Sequence, residues 1–402
     1  MSSTVTDKVN ALAELAVRFG ANVQPGQIVG LGSEPGKEEL ARAIAEAAYR
    51  AGAKFVDLSV FDIFLKRARL LHADPETLGY VPPWLGEQLL AAGEARAASI
   101  SLSGPAAPHA LDGIDPELVA RDMLPWLPEV MQVINARLLN WTGVPGPTRE
   151  WAMLVHPQLE PNAALERLWD EVAHVCRLDE ADPVAAWQHR FAALTRVASA
   201  LTDRRFDAIR LHGPGTDLTV GLLPSSRWIC ACLETVDGIT HHPNLPSEEV
   251  FTTPDPGRVD GFVTATKPLF TAGTTIAGLR VRFQDGRAVQ IDADENVEVL
   301  RSLTARDEGA ARLGELALVD RDGRIGPLET VFYDTLLDEN AASHIALGAA
   351  LQAGVGDESD HERVNVSRIH IDFMIGSNEL DVDGLTAVGE KVPLLRTGTW
   401  CI

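Results

Sequence analysis

Ala53-Lys54-Phe55-Val56-Asp57-Leu58-Ser59-Val60 reads as a β-strand, and what stands on either side of it decides the fold. Ile28-Val29-Gly30-Leu31 precedes it and Ala97-Ala98-Ser99-Ile100-Ser101-Leu102 follows, with helical segments between. In the first of these, Lys37 to Tyr49, the apolar Leu40, Ala41, Ile44, Ala45 and Ala48 mark one helical face, and Gly52 is placed to end the helix. Strands alternating with helices predict a parallel sheet flanked by helices. No G-x-G-x-x-G or G-x-x-x-x-G-K-[ST] turn follows any of the strands, so a dinucleotide or nucleoside triphosphate site has no support.

The pattern changes in the second half. Residues from about Leu165 to Leu201 read as helical, with Trp169, Val172, Val175 and Cys176 on one face and a break at Asp182-Pro183. After Phe206 the chain becomes strand-rich. Leu279-Arg280-Val281-Arg282-Phe283-Gln284 joins Arg287-Ala288-Val289-Gln290-Ile291 through Asp285-Gly286, a favoured two-residue hairpin turn. We therefore expect an α/β protein: an N-terminal α/β domain at 1–204 with a mostly parallel sheet, and a strand-rich α+β domain at 205–402.

A chain of 402 residues that is 46% hydrophobic can bury a sizeable core. Its formal net charge is −22, from 57 acidic against 35 basic residues, and such a field repels phosphate backbones and anionic lipid surfaces. Nucleic acid is excluded as a partner on that ground. Met1 to Asn10 lacks the apolar core of a signal peptide, and no later run approaches the ~18–20 apolar residues of a membrane span. Four scattered cysteines fit neither a disulfide framework nor a four-cysteine zinc site. The expectation is a cytoplasmic protein without a membrane anchor. Cys230 and Cys232, in the run Trp228 to Leu233, are expected to share one strand face as buried structural residues.

The chemistry gathers where charged residues interrupt apolar runs. Ile369-His370-Ile371-Asp372-Phe373-Met374-Ile375-Gly376 places His370 and Asp372 on one face of a strand. Burying an ionised carboxylate costs several kcal/mol unless it is paired or coordinated. Taken alone, this pair suits two metal ligands and a simple Asp–His hydrogen bond equally well. Glu315 interrupts Leu313 to Val319; Glu339 and His344 frame the small residues of Asp338 to Gly348; Glu248 and Glu249 lie between a turn and Val250-Phe251. Each position needs compensation, and a shared cation could compensate all of them. Oxygen and nitrogen ligands without thiolate suit Zn, Co, Mn or Fe(II), and several carboxylates permit two ions.

The same segments, NLPSEEVFT, LGELALV, DENAASHIALG and HIDFMIGS, resemble in sequence and order the signature blocks of the thermophilic-type metalloaminopeptidase family. NVQPGQ, DPVAAW, GPGTDLTVG, RVDGFV and ELDVDG extend the likeness to essentially the whole chain. The resemblance implies a metal-dependent aminopeptidase acting through a metal-activated water. It implies about two ions per chain, held by Glu249, Glu315, Glu339, His344, His370 and Asp372, with Glu249 preferred to Glu248, and Glu315 as bridging ligand or base. It also implies a homodimer. Family members carry a tyrosine seven residues after the block histidine, where this chain has Leu351, which cannot donate a hydrogen bond. Losing one oxyanion donor typically costs ~10²–10³ in rate. Two other readings use the same ligands: a divergent enzyme acting on a non-peptide substrate, such as another hydrolase or an Fe(II) ring-cleaving dioxygenase, and a non-catalytic metal-binding protein. The adjacent His241 and His242 are expected in a turn or cavity wall rather than on a metal.

Overall fold

The structure, a computed structural model, describes residues 3–122, 124–125 and 127–402. Its internal contacts divide the chain into two units: residues up to Arg190 together with Ala231–Ser247, and Phe191–Cys230 together with Glu248–Ile402. The division falls inside the helix Pro183–Asp203, whereas the sequence places it near Arg204, just past that helix.

In the first unit four parallel strands, β1 (Ile28–Ser33), β2 (Phe55–Val60), β3 (Ala98–Ser103) and β4 (Asn140–Pro145), lie in the order β2-β1-β3-β4. The helix between β1 and β2, Glu38–Arg50, buries Leu40, Ala41, Ile44 and Ala48. Gly52 ends it at φ +94°, donating to Tyr49 O, while Ala53 donates to Ala48 O; this is a Schellman close, and it needs a residue that tolerates positive φ. The helices Pro161–Val175 and Pro183–Asp203 straddle the expected break, and Trp151, Trp169 and Trp187 are among the largest fully buried side chains.

The second unit begins with β5 (Ala208–Gly213) and β6 (Thr216–Leu222); the short pair β7 (Leu233–Glu234) and β8 (Thr240–His241) belongs to the first unit. Two antiparallel sheets then share one chain. β9 (Glu249–Thr252) enters the smaller sheet, and one residue later β10 (Pro254–Thr264) enters the larger. After the hairpin β11 (Leu269–Thr271) and β12 (Thr274–Ile276), β13 (Arg280–Gln284) and β14 (Arg287–Asp292) pair through Asp285 at φ +49° and Gly286 at φ +78°, the left-handed pair a tight hairpin demands. β15 (Leu313–Val319), β16 (His344–Gly348) and β17 (His370–Met374) complete the smaller sheet in the order β17-β16-β15-β9. β18 (Asp381–Leu385), β19 (Lys391–Arg396) and β20 (Thr399–Trp400) extend the larger. Every residue of β9, β15 and β16 is buried, which explains why these segments read as unbroken apolar runs.

One local expectation fails. Cys230 is buried but Cys232 is exposed, because the run bridges Ile229 to Phe251, bends at Ala231 and pairs again only from Leu233, in β7.

Gly348, opposite His370 in the β16–β17 register, sits at φ +105°, and a Cβ there would lie 2.1 Å from Ile369 O. Gly348→Ala should destabilise the second unit by about 3 kcal/mol or more. That corresponds to a melting temperature roughly 6–12 °C lower, measurable by thermal unfolding.

Candidate metal centre

The smaller sheet carries five of the six expected ligands, and its register puts all five on one face. Residues paired directly across antiparallel strands share a face, as do residues two apart on one strand. Val319 pairs with Glu249, Glu315 with Ala346, and Ala317 with His344. Ala346 in turn pairs with Asp372 and Gly348 with His370. Glu249, Glu315, His344, His370 and Asp372 therefore project together, separated by the small Ala317, Ala346 and Gly348. Glu339 arrives from off the sheet, on the short turn Glu339–Ala341 that follows the helix Thr335–Asp338. Glu248, one residue from Glu249, must face the other way; its Oε1 accepts the Arg324 N–H at 3.4 Å.

The six side chains converge in three overlapping groups: Glu249, Glu315 and His344; Glu315, His370 and Asp372; and Glu339, His344 and Asp372. Within each group the donor atoms lie within 4.8 Å of one another. His344 Nε2 is 3.1 Å from Glu249 Oε2 and 3.7 Å from Glu315 Oε1. His370 Nε2 is 3.7 Å from Glu315 Oε2 and 3.2 Å from Asp372 Oδ2. Glu315 thus offers one oxygen to each imidazole.

Both rings are oriented from behind. His344 Nδ1 lies 3.2 Å from Ala342 O and His370 Nδ1 lies 2.7 Å from Ala349 O. Since a carbonyl can only accept, each Nδ1 carries a proton, so in the neutral ring the lone pair lies on Nε2, which is turned toward the carboxylates. This is the tautomer that metal ligation by Nε2 requires.

The electrostatics are unfavourable without a cation. Burial, helped by the charges of Glu249 and Asp372, pushes the Glu315 carboxyl above its usual range against the pull of His344. Burial and the neighbouring Asp372 and Glu249 push Glu339 well above it. For His370, burial disfavours the charged ring, but Asp372 and Glu315 outweigh it and lift the pKa to about 10. His344 is raised well above its usual value, burial being outweighed chiefly by Glu249. Asp372 Oδ1 is a buried acceptor with no hydrogen-bond partner, while Glu249 Oε2 meets the His344 ring at 3.1 Å. A buried carboxylate oxygen left unsatisfied inside such a cluster is what a cation would satisfy.

Comparison with known proteins now bears on this centre. The family model described as thermophilic metalloprotease (M29) matches residues 5–400. Aminopeptidase T of Thermus aquaticus is 41% identical over 406 residues, covering 99% of both chains. The chain belongs to the M29 thermophilic metalloprotease family. The solved structure of wild-type AmpT from Thermus thermophilus superposes on this M29 chain with a TM-score of 0.88 at 41% identity, covering 98% of this chain and 99% of that one. A dihydroxypyridine dioxygenase structure from Pseudomonas putida matches with a TM-score of 0.51 at 13% identity over 98% of each chain, a likeness of fold alone.

Two expected non-ligands stay outside the centre. His241 and His242 lie in the first unit, both buried, with Nδ1 atoms on Trp141 O and Ala231 O and with His242 stacked on Phe19. Leu351, at the position of the family tyrosine, follows β16 and gives its carbonyl to Thr253 Oγ1 at 2.6 Å.

In metal-free M29 protein the raised histidine pKa values mean protonated rings at pH 7, and ligation requires them neutral. Metal loading at pH 7 should therefore release protons, and affinity should rise with pH toward about 10. Calorimetric titration in two buffers of different ionisation enthalpy measures this; a heat independent of buffer would contradict it.

Proposed function

We propose that the centre of this metal-dependent aminopeptidase holds two divalent ions per chain, with Glu249, Glu315, Glu339, His344, His370 and Asp372 as ligands. One observation carries the proposal: Glu315 presents Oε1 to the Glu249–His344 half and Oε2 to the His370–Asp372 half. A carboxylate divided in this way bridges two half-sites. Charge balance points to the same number, since four carboxylates and two neutral imidazoles carry −4, which two divalent ions cancel and one does not. The donor set lacks thiolate and suits Zn, Co or Mn, with Fe(II) also accommodated.

When bound, the ions supply a Lewis acid for the scissile carbonyl and lower the pKa of the attacking water. The chain supplies the rest. Glu315, its carboxyl already raised by burial, is the base within reach when one half alone is filled, and the bridge when both are. His370 is the most open of the six, its side chain 27% exposed, and marks the side from which substrate approaches. Leu351, in place of a hydroxyl donor, offers no hydrogen bond to the developing oxyanion, which would be left to the bound ions. A mononuclear oxygenase needs three ligands, so Glu249, Glu315 and Glu339 favour the hydrolase over the dioxygenase chemistry.

A homodimer and a reducing, cytoplasmic setting complete the proposal. Edge strand β2 exposes Phe55, Leu58 and Val60, and nearby Phe64, Leu65 and Trp84 are also exposed, an apolar surface that a second copy would cover. All four cysteines are free. Among the described residues no helix is long and apolar enough to cross a membrane.

Metal-free protein reconstituted with Zn, Co, Mn or Fe(II) should cleave amino-acid amides and short peptides from the N-terminus with about two ions per chain. Tight binding without cleavage of any of them would overturn the peptidase reading. Glu315→Gln should keep the fold and lower kcat by about 10²-fold or more, read by steady-state kinetics on the best amide. In solution the mass should be that of two chains, and Leu58→Asp should shift it toward one, read by light scattering.

A further inference from the structure

Asn340 is fully buried, between the segment leading into β9 and the turn that carries Glu339. Its Oδ1 accepts the Glu248 N–H at 2.6 Å. That bond fixes the amide's orientation, because a backbone N–H must meet the oxygen. The Nδ2 group then faces the other way and donates to Leu336 O at 3.0 Å and to Glu339 Oε1 at 3.4 Å.

We propose that Asn340 is the positioning residue of the metal centre: one amide holds the backbone beside Glu249 with its oxygen and turns the Glu339 carboxylate with its nitrogen. This rests on the ligand reading above. Glu339 is the one ligand not held by the sheet register, and it stands among Asp372, Glu249 and Glu315, all of which repel it. A donor at Oε1 offsets part of that repulsion and orients a carboxylate whose ligand atom lies within 4.8 Å of those of His344 and Asp372. The task needs both halves of the amide. An aspartate would keep the shape and still accept from Glu248, but would set an anion against Leu336 O and Glu339.

The test is a double-mutant cycle on the full-length protein, reading Zn²⁺ affinity by competition with a chromophoric chelator, with thermal unfolding confirming the fold. Asn340→Asp should weaken the tighter-held Zn²⁺ about tenfold or more, and Glu339→Gln should also weaken it. In the Glu339→Gln background the Asn340→Asp change should cost less than threefold, because a glutamine amide can donate to the new carboxylate. Asn340→Ser, which adds no charge, should fall between wild type and Asn340→Asp, and supplies the same cycle if the aspartate does not fold. Equal losses in both backgrounds, or no loss in the wild-type background, would overturn the role of Asn340. Wild-type affinity in Glu339→Gln alone would instead remove Glu339 from the ligand set.

Discussion

Four carboxylates held out of water, three on one face of a buried sheet and Glu339 brought to them by a turn, with a single pair of imidazoles among them, form the constraint on which the second unit depends. At 4 Å and an effective dielectric near 20, two like charges repel by ~4 kcal/mol. The cluster contains several such pairs, so it exists only with cations, or with protons standing in for them. The raised pKa values of Glu315, Glu339, His344 and His370 express that substitution. The sheet must also leave space where the charges meet. Ala317, Ala346 and Gly348 provide it, and the bulge between Leu313 and Glu315 lets Gly314 pack against the carbonyls of Gly348 and Ala349, where a Cβ would not fit.

The shortness of β16 serves the same end. It is five residues long, and the backbone carbonyls just outside its two ends, Ala342 O and Ala349 O, are the ones that receive His344 Nδ1 and His370 Nδ1. A longer strand would have engaged those carbonyls in the ladder. Asn365 closes the far end, donating to Gly348 O at 2.6 Å and Gly309 O at 2.8 Å. The ring tautomers are therefore set by where the strand stops, a consequence of topology rather than of any residue's identity.

Much of this was legible because period two is a strong signal in a strand. His370 and Asp372 share a face wherever their strand lies; alternation allows only one of Glu248 and Glu249 to join them, and the family resemblance selects Glu249. The parallel sheet of the first unit and the Asp285-Gly286 hairpin were legible for similar local reasons. What could not be read depended on contacts distant in sequence. Asn340 joins Glu248 across 92 residues, and nothing in an asparagine beside a glutamate announces such a bond. Cys232 turned outward because a strand needs a partner along its length, and this run is paired at Ile229 and again at Leu233 but not between them. The unit division was obscured by Ala231–Ser247, which returns to the first unit.

The net charge of −22 invites the view that the acidic surface recruits the metal. Magnitudes argue otherwise. At physiological ionic strength the field of exposed acids decays over about 8 Å, and an exposed pair at 4 Å is worth about 1 kcal/mol in water. The buried cluster interacts several times more strongly per pair and is scarcely screened. Two divalent ions, if bound as proposed, would change the formal charge only from −22 to −18, yet would cancel the −4 of the centre. Surface acidity can speed a cation's approach; on that proposal retention and selectivity would belong to the six side chains, two backbone carbonyls and the amide of Asn340.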